Sequence, residues 1–365
     1  MHDALAALAE QIRAAALERT ALRIRAGGSK DFYGNSPRGS VLDPRGVCGI
    51  VSYEPTELAL AVRCGTPLAE VEATLEREGQ MLAFEPPHYG PAATIGGCIA
   101  SGLAGPRRAS SGYSYGGVRD FVLGAKLLDG RAQLLSFGGM VMKNVAGYDV
   151  ARLLVGSLGV LGVITEVSLK VVPKFKLETT LQFTLAEAAA LRQLNAWGAL
   201  PLPISASAWH MDRLRLRLSG SGPAVAAAAA KLGGEAAELA TGAQFWQALR
   251  EQTHPFFSGE LPLWRLSVPS SAAPLELGSE QLIEWGGALR WLRSTRTATE
   301  IRARAHALGG HATLYRGGDR TRDIFTPLAP GIAAIHERLC AQFDPQAIFD
   351  SGRMYRRAGD ANHSG

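Results

Sequence analysis

The run Gly90-Pro91-Ala92-Ala93-Thr94-Ile95-Gly96-Gly97-Cys98-Ile99-Ala100-Ser101-Gly102-Leu103-Ala104-Gly105 constrains the fold of this chain most. It carries five glycines and no charged side chain. Each glycine loses much backbone entropy on folding and offers no side chain to pack, so the run needs another reason to exist. Backbone that passes close to something else, presenting bare N–H groups, is such a reason; a phosphate or a flat ring fits it. A tight turn between strands is the plainer reading. A second glycine-rich loop, Arg25-Ala26-Gly27-Gly28-Ser29-Lys30, shifts the balance toward a ligand.

That second loop follows the alternating segment Ala21-Leu22-Arg23-Ile24-Arg25, which reads as a strand. It is neither a Walker loop nor the dinucleotide G-x-G-x-x-G. A strand running into small residues still forms a backbone nest for a pyrophosphate, and Ser29 and Lys30 add a hydroxyl and a cation. A third glycine turn, Gly156-Ser157-Leu158-Gly159-Val160-Leu161-Gly162, enters the β-branched strand Val163 to Val172.

Between these loops the spacing predicts strands at Val47 to Tyr53, Ala59 to Cys64 and Met81 to Phe84. A helix start falls at Pro55, and a helix runs from Thr66-Pro67 to Glu78. Phe121 to Leu128 and Ala132 to Phe137 flank Asp129-Gly130, a hairpin signal, and Val150 to Val155 is helix-like. Beyond Pro173 the texture changes to alanine-rich helices, Leu185 to Trp197, Ala224 to Leu232 and Glu235 to Arg250. Strands at Ser207 to Leu218 and Leu263 to Val268 separate them. Ile332 to Phe343 is a last helix, and Arg356 to Gly365 has the look of a disordered tail.

The length of 365 residues suits two domains, and 47% hydrophobic residues suffice for a sizeable core. A net charge of +5, with scattered arginines, gives no footprint for nucleic acid. The four cysteines, Cys48, Cys64, Cys98 and Cys340, include no C-x-x-C pair, so no zinc or iron–sulfur site is legible and a reducing cytosol fits. The first twenty residues form an amphipathic helix rather than a signal peptide. No stretch reaches the roughly 18 apolar residues of a membrane span, so membrane association is expected only through a partner.

Three features in this order resemble the FAD-binding domain of the vanillyl-alcohol oxidase and p-cresol methylhydroxylase (PCMH) superfamily. They are Arg25 to Lys30; Thr94-Ile95-Gly96-Gly97 with Ser101-Gly102; and Gly159-Val160-Leu161-Gly162-Val163-Ile164-Thr165-Glu166. Phe84 to His88, Arg119 to Gly124, Val141 to Asp149, Glu284 to Ala288 and Phe343 to Tyr355 narrow the likeness. They are similar to the family of FAD-binding E subunits of bacterial glycolate oxidase. The resemblance implies an α+β fold: a two-subdomain PCMH-type FAD-binding domain over residues 1–173, then a smaller α+β cap domain over 174–312. Residues 313–356 return to the FAD domain, and 357–365 form the tail.

It further implies FAD as cofactor and oxidation of glycolate to glyoxylate, with electrons passed to an external acceptor. The partners implied are a larger FAD-containing glycolate oxidase D subunit and an iron–sulfur F subunit, with the chain inactive alone. The first loop is expected to wrap the pyrophosphate, and Pro91, Thr94, Ile95, Gly96, Gly97, Ser101 and Gly102 to line the pyrophosphate and isoalloxazine side. Gly159, Gly162, Val163 and Ile164 meet the adenine or ring edge, with Arg119 and Asp120 beside them. Arg119 and Asp120 read equally as a strand-start ion pair, Lys143 as a flavin neighbour or a surface lysine, and His88 as a turn residue or a base.

Relatives that bind flavin covalently through the first loop place histidine where this chain has Ser29, so noncovalent FAD is expected. Cys98 reads as a small buried cysteine rather than a thioether. The hydroxy-acid dehydrogenase relatives hold metal and substrate with a histidine cluster; the nearest stretch here has only His311, and Arg290, Arg316 and Arg353 remain as carboxylate anchors. No catalytic residue and no metal ligand is assigned. Two other functions stay open: an electron-transfer or structural flavin subunit, and a flavin oxidoreductase for another 2-hydroxy acid or alcohol.

Overall fold

The computed structural model describes residues 2–109, 116–139, 149–320, 324–349 and 352–355. Lys143 with the segment 141–148, and the tail from 356, lie outside the described residues. The N-terminal helix His2–Glu18 buries Leu8, Ala9, Ile12 and Ala15 against Leu22, Leu42, Val163, Ile348 and Phe349. Residues from both ends of the chain therefore share one small core. The strand Leu22–Ile24 pairs in parallel with Ser40–Leu42, and the first glycine loop leaves from its end.

An antiparallel five-stranded sheet follows, in the order Ile50–Glu54, Ala59–Arg63, Val163–Lys170, Val122–Leu128, Leu134–Gly138. Its inner face packs on the helix Leu68–Arg77 and on Ile95, Cys98 and Ile99. Residues 177–316 build a second, eight-stranded antiparallel sheet, running from Glu235–Ala236 at one edge to His311–Arg316 at the other. The helices Glu187–Gly198, Gly222–Leu232, Leu239–Arg250 and Ala298–Ala307 belong to this half.

Several elements depart from expectation. The central glycine run is not an open loop: Ile95–Ser101 is a short helix, with Thr94 Oγ1 accepting the Gly97 N–H at 3.1 Å and Gly102 closing it. Poor helix formers are held there because Gly96 N–H bonds the Cys64 carbonyl at 2.9 Å and Ile95 N–H bonds that of Thr66 at 3.0 Å. Ser207 to Leu218 is two strands, Ile204–His210 and Arg213–Gly220, joined at Met211-Asp212 with φ of 48° and 58°. That turn needs two left-handed residues and carries no glycine, so its signal is weak in the sequence. Glu235–Ala236 is a short strand against Leu181 and Gln182, and its helix begins only at Leu239. Pro55–Glu57 is a single 3₁₀ turn, and of the segment Met81 to Phe84 only Met81 is strand, in the two-residue strand Gln80–Met81.

A buried charge network joins the two sheets beside the glycine run. Glu85 accepts the N–H of Arg107 at 3.1 Å and its Nε at 3.3 Å, and Arg217 Nη2 at 2.8 Å. Arg107 also bonds Glu178 and Ser219 of the second half. Burial works to raise the Glu85 pKa, but the Arg217 and Arg107 guanidiniums overcome it and hold the carboxyl down at about 2. Nearby, Trp285 Nε1 donates to the Gly105 carbonyl at 3.0 Å. The run 85–105 is thereby clamped at both ends by the second half.

Glu284, beside Trp285, behaves oppositely. Its side chain takes one hydrogen bond from Trp291 Nε1 at 2.7 Å, and burial pushes its carboxyl up to about 7. The folded chain then keeps a proton that the unfolded chain releases from near pH 4.5 upward. Stability attributable to this group falls between about pH 4.5 and 7 and is level above that, a change on the order of 3 kcal/mol. Glu284→Gln keeps an acceptor for Trp291 and removes the titration. Melting temperatures from pH 5 to 8 are expected to fall less steeply for the variant; identical slopes would refute the assignment.

Candidate functional site

Two adjoining cavities, of about 180 Å³ and about 80 Å³, lie where the three glycine segments meet. They share Ile24, Ala26, Thr94, Gly97, Ala100, Leu158 and Gly159 in their walls and so form one cleft. The larger end is lined by the whole first loop, Arg25, Ala26, Gly27, Gly28, Ser29 and Lys30, and by Thr94, Gly97, Ser101 and Gly159. The smaller end adds Gly96, Gly162, Val163 and Ile164.

The two ends differ in chemistry. Four cations, Arg23, Arg25, Lys30 and Arg353, stand around the larger end against one acid, Asp31. Arg25 Nε and Asp31 pair at 2.7 Å on the half-exposed rim, a contact of small energetic weight. The smaller end has no charged side chain among its described lining and is walled by backbone and small apolar groups. Close approach sets this geometry. A β-carbon on Gly27 would lie 1.5 Å from the Ala92 carbonyl oxygen, and Gly162 has φ of +135° with the Leu128 carbonyl oxygen 2.5 Å from any such atom. Leu158 N–H bonds the Ala100 carbonyl at 2.9 Å, tying the third turn to the short helix.

Lys30 turns from the cleft wall onto the segment after Pro87. Its Nζ donates to the His88 carbonyl at 3.3 Å and to Ser29 Oγ at 3.4 Å, and lies 5.5 Å from the Tyr89 ring centre. Burial lowers its pKa. Beyond it the Tyr89 and Tyr315 hydroxyls meet at 2.9 Å, and burial raises both pKa values. The Arg316 guanidinium packs over Phe32 at 4.2 Å and Tyr89 at 5.2 Å.

Not every expected residue reaches the cleft. Ile95, the first residue of the short helix, is fully buried in the core, Gly102 caps that helix, and Pro91 is exposed. None of the three lines either cavity. Arg119 and Asp120 are exposed, with Asp120 accepting the Gly117 N–H at 2.7 Å as a local cap. His88 Nε2 is paired with Glu72 at 2.9 Å, outside the cleft lining. Cys98 is fully buried, and burial pushes its thiol up to about 12. Arg290 is spent on the Gly287 and Ala272 carbonyls at 2.7 and 2.9 Å, so of the three anchoring arginines only Arg353 stands in the cleft wall. Among the described residues no three His, Cys, Asp or Glu side chains gather as a metal site.

Sequence reasoning missed Arg23, Asp31, Ala100, Leu158 and Phe349 as lining residues. Arg23 was within reach, since it sits one residue before the end of the strand that delivers the first loop. Phe349 had no local signal.

A cleft with a cationic end for phosphates and an uncharged, backbone-walled end for rings suits a flavin nucleotide. A family model described as an FAD binding domain matches residues 3–138. Glycolate oxidase subunit GlcE of Escherichia coli is 48% identical over 349 residues, 96% of this chain and 97% of that one. The chain belongs to the GlcE family of glycolate oxidase subunits. Glycolate oxidase subunit GlcD of Bacillus subtilis is 34% identical over 132 residues, 36% of this chain and 27% of that protein. A solved structure of alkyldihydroxyacetonephosphate synthase matches with a TM-score of 0.64 at 14% identity, covering 93% of this chain and 73% of that one. That likeness speaks to the fold alone; together with the FAD binding domain model, it gives an α+β, PCMH-type FAD-binding half followed by a second α+β half. The chain carries an FAD-binding domain and an oxidoreductase role. No described helix is long and apolar enough to cross a membrane.

Proposed function

We propose that this chain holds FAD noncovalently within a glycolate dehydrogenase complex, working with a larger FAD-containing GlcD-type partner and an iron–sulfur partner, the F component of the complex. Any membrane association comes through the iron–sulfur partner. Residues 1–173 with 313–356 serve as the cofactor half, and 174–312 as its cap. The observation that carries this reading is the single cleft built by all three glycine segments, cationic at one end and uncharged at the other, in a GlcE-family chain.

FAD, when bound, supplies the acceptor for a hydride from the α-carbon of the hydroxy acid. The chain's own groups bind and orient it: small residues of the first loop admit a phosphate, and Gly162, Val163 and Ile164 wall the ring end. Ser29 offers a hydroxyl but no imidazole, which supports noncovalent attachment. The purified chain should be yellow, and acid precipitation should leave the flavin in the supernatant; flavin retained on the pellet contradicts noncovalent binding.

A second reading, in which this flavin relays electrons and never meets glycolate, is favoured by the side-chain chemistry. Hydride removal needs a base for the hydroxyl proton and an anchor for the carboxylate. Tyr89 and Tyr315 are held protonated by burial. The FAD-loaded chain alone is therefore expected to show no flavin bleaching on anaerobic addition of glycolate. Reunion with the GlcD-type and iron–sulfur partners should restore turnover to an artificial acceptor. Rapid bleaching of the isolated chain makes it a complete dehydrogenase and rejects the relay.

A further inference from the structure

Arg353 reaches back onto the first glycine loop. Arg353 Nη2 donates to the Lys30 carbonyl at 3.0 Å and to that of Asp31 at 3.3 Å. Asn35, 1% exposed, holds the same segment through the Arg353 carbonyl at 2.9 Å and the Met354 carbonyl at 2.9 Å. Phe349, 2% exposed, lines the cationic end of the cleft a few residues earlier.

These contacts bring Arg353 into the same wall as Arg23. Arg23 Nε is buried and has no hydrogen-bond partner among the described residues. Asp31, the one acid of this lining, is already paired with Arg25. Burial, and then the neighbouring Arg320 and Arg23, press the Arg353 pKa down, with Asp31 opposing. Gathering several guanidiniums around the single carboxylate of Asp31 leaves an excess of positive charge, whose cost an anion bound between them offsets.

We propose that Arg23 and Arg353 are ligands of the cofactor's diphosphate, so that residues 352–355 clasp bound FAD against the first loop. The inference rests on the FAD reading above. The glycine loop supplies N–H groups without net charge, whereas the two guanidiniums supply the charge a diphosphate needs and fork-shaped donors to match it. A residue from the far end of the chain thus completes a site that the first loop begins.

The test is titration calorimetry of FAD into the full-length chain stripped of flavin, from about 0.05 to about 0.5 M salt. Arg353→Ala is expected to weaken FAD roughly tenfold or more and to flatten the salt dependence. Arg353→Lys should fall between, since it keeps the charge and loses the fork, and Arg23→Gln should move in the same direction as Arg353→Ala. Should Arg353→Ala fail to fold, Arg353→Lys and Arg23→Gln carry the test. Wild-type affinity in these variants overturns the clasp. So does weaker binding with a wild-type salt dependence, which makes Arg353 a tether of the loop only. A wild-type chain that takes up no FAD rejects the cofactor reading itself, a distinct result.

Discussion

Gly27→Ala is expected to strip the chain of its flavin while leaving the rest of the fold standing. The added methyl would sit 1.5 Å from the Ala92 carbonyl oxygen and 2.5 Å from its carbon. Neither atom belongs to a flexible side chain, so the first loop or the segment before Thr94 must move. Both line or adjoin the cleft, and the movement falls where the cofactor's phosphates are proposed to lie. Overpacking of this kind costs about 3 kcal/mol, and if the cofactor site bears it, FAD affinity drops about a hundredfold. Gly222→Ala, at the start of the helix Gly222–Leu232 with nothing within 4 Å of the new atom, is the control. Flavin-to-protein ratios and dissociation constants decide; a Gly27→Ala chain with full flavin and unchanged affinity would mean the close approach is not what shapes the site.

Glu85→Ala should be the most destabilising single change at the junction of the two halves. It leaves Arg107 and Arg217, 2% and 5% exposed, without the carboxylate they share. Breaking a buried ion pair from one side costs about 3–5 kcal/mol, since the remaining charges stay desolvated. Glu178 still serves Arg107, which keeps the loss toward the lower end of that range. The pH dependence has a definite sign. The Glu85 pKa is held at about 2, below its unfolded value, so its contribution is fully present above pH 4.5 and drains away as pH falls toward 2. Urea midpoints of wild type and Glu85→Gln should differ most near neutrality and converge in acid. A constant gap at every pH would show that packing, not charge, holds the junction.

The lining of the candidate site is legible in the sequence where its chemistry is local. The first loop follows its strand directly, and a nest of small residues after a strand is written in five or six consecutive letters. The third turn and the strand Val163–Lys170 are equally local, and Gly159, Gly162, Val163 and Ile164 all reach the cleft. The family resemblance places Ile95 and Gly102 in the cleft with the rest of the run from Thr94, and the structure does not. Once that run coils into a helix, side chains a residue apart face different ways, and Ile95 turns into the core while Gly97 and Ser101 stay in the wall.

From the sequence alone came the order of the glycine segments, the α+β class, the resemblance to a flavin-binding family and the absence of a histidine cluster around His311. Each of these depends on residue type and short-range spacing. The tertiary structure alone decided that Arg353 and Phe349 stand beside a loop some 320 residues earlier, that Glu85 is shared by two buried arginines, and that Arg290 is consumed by backbone carbonyls. It also turned Met211-Asp212 into a hairpin corner. Such pairings are set by which surfaces bury each other: burial raises the pKa of Glu85 and Glu284 alike, and only the two arginines packed on Glu85 reverse the outcome there. Local pattern carries no information about that, because the energy that selects one packing over another is spread across contacts between segments far apart in the chain.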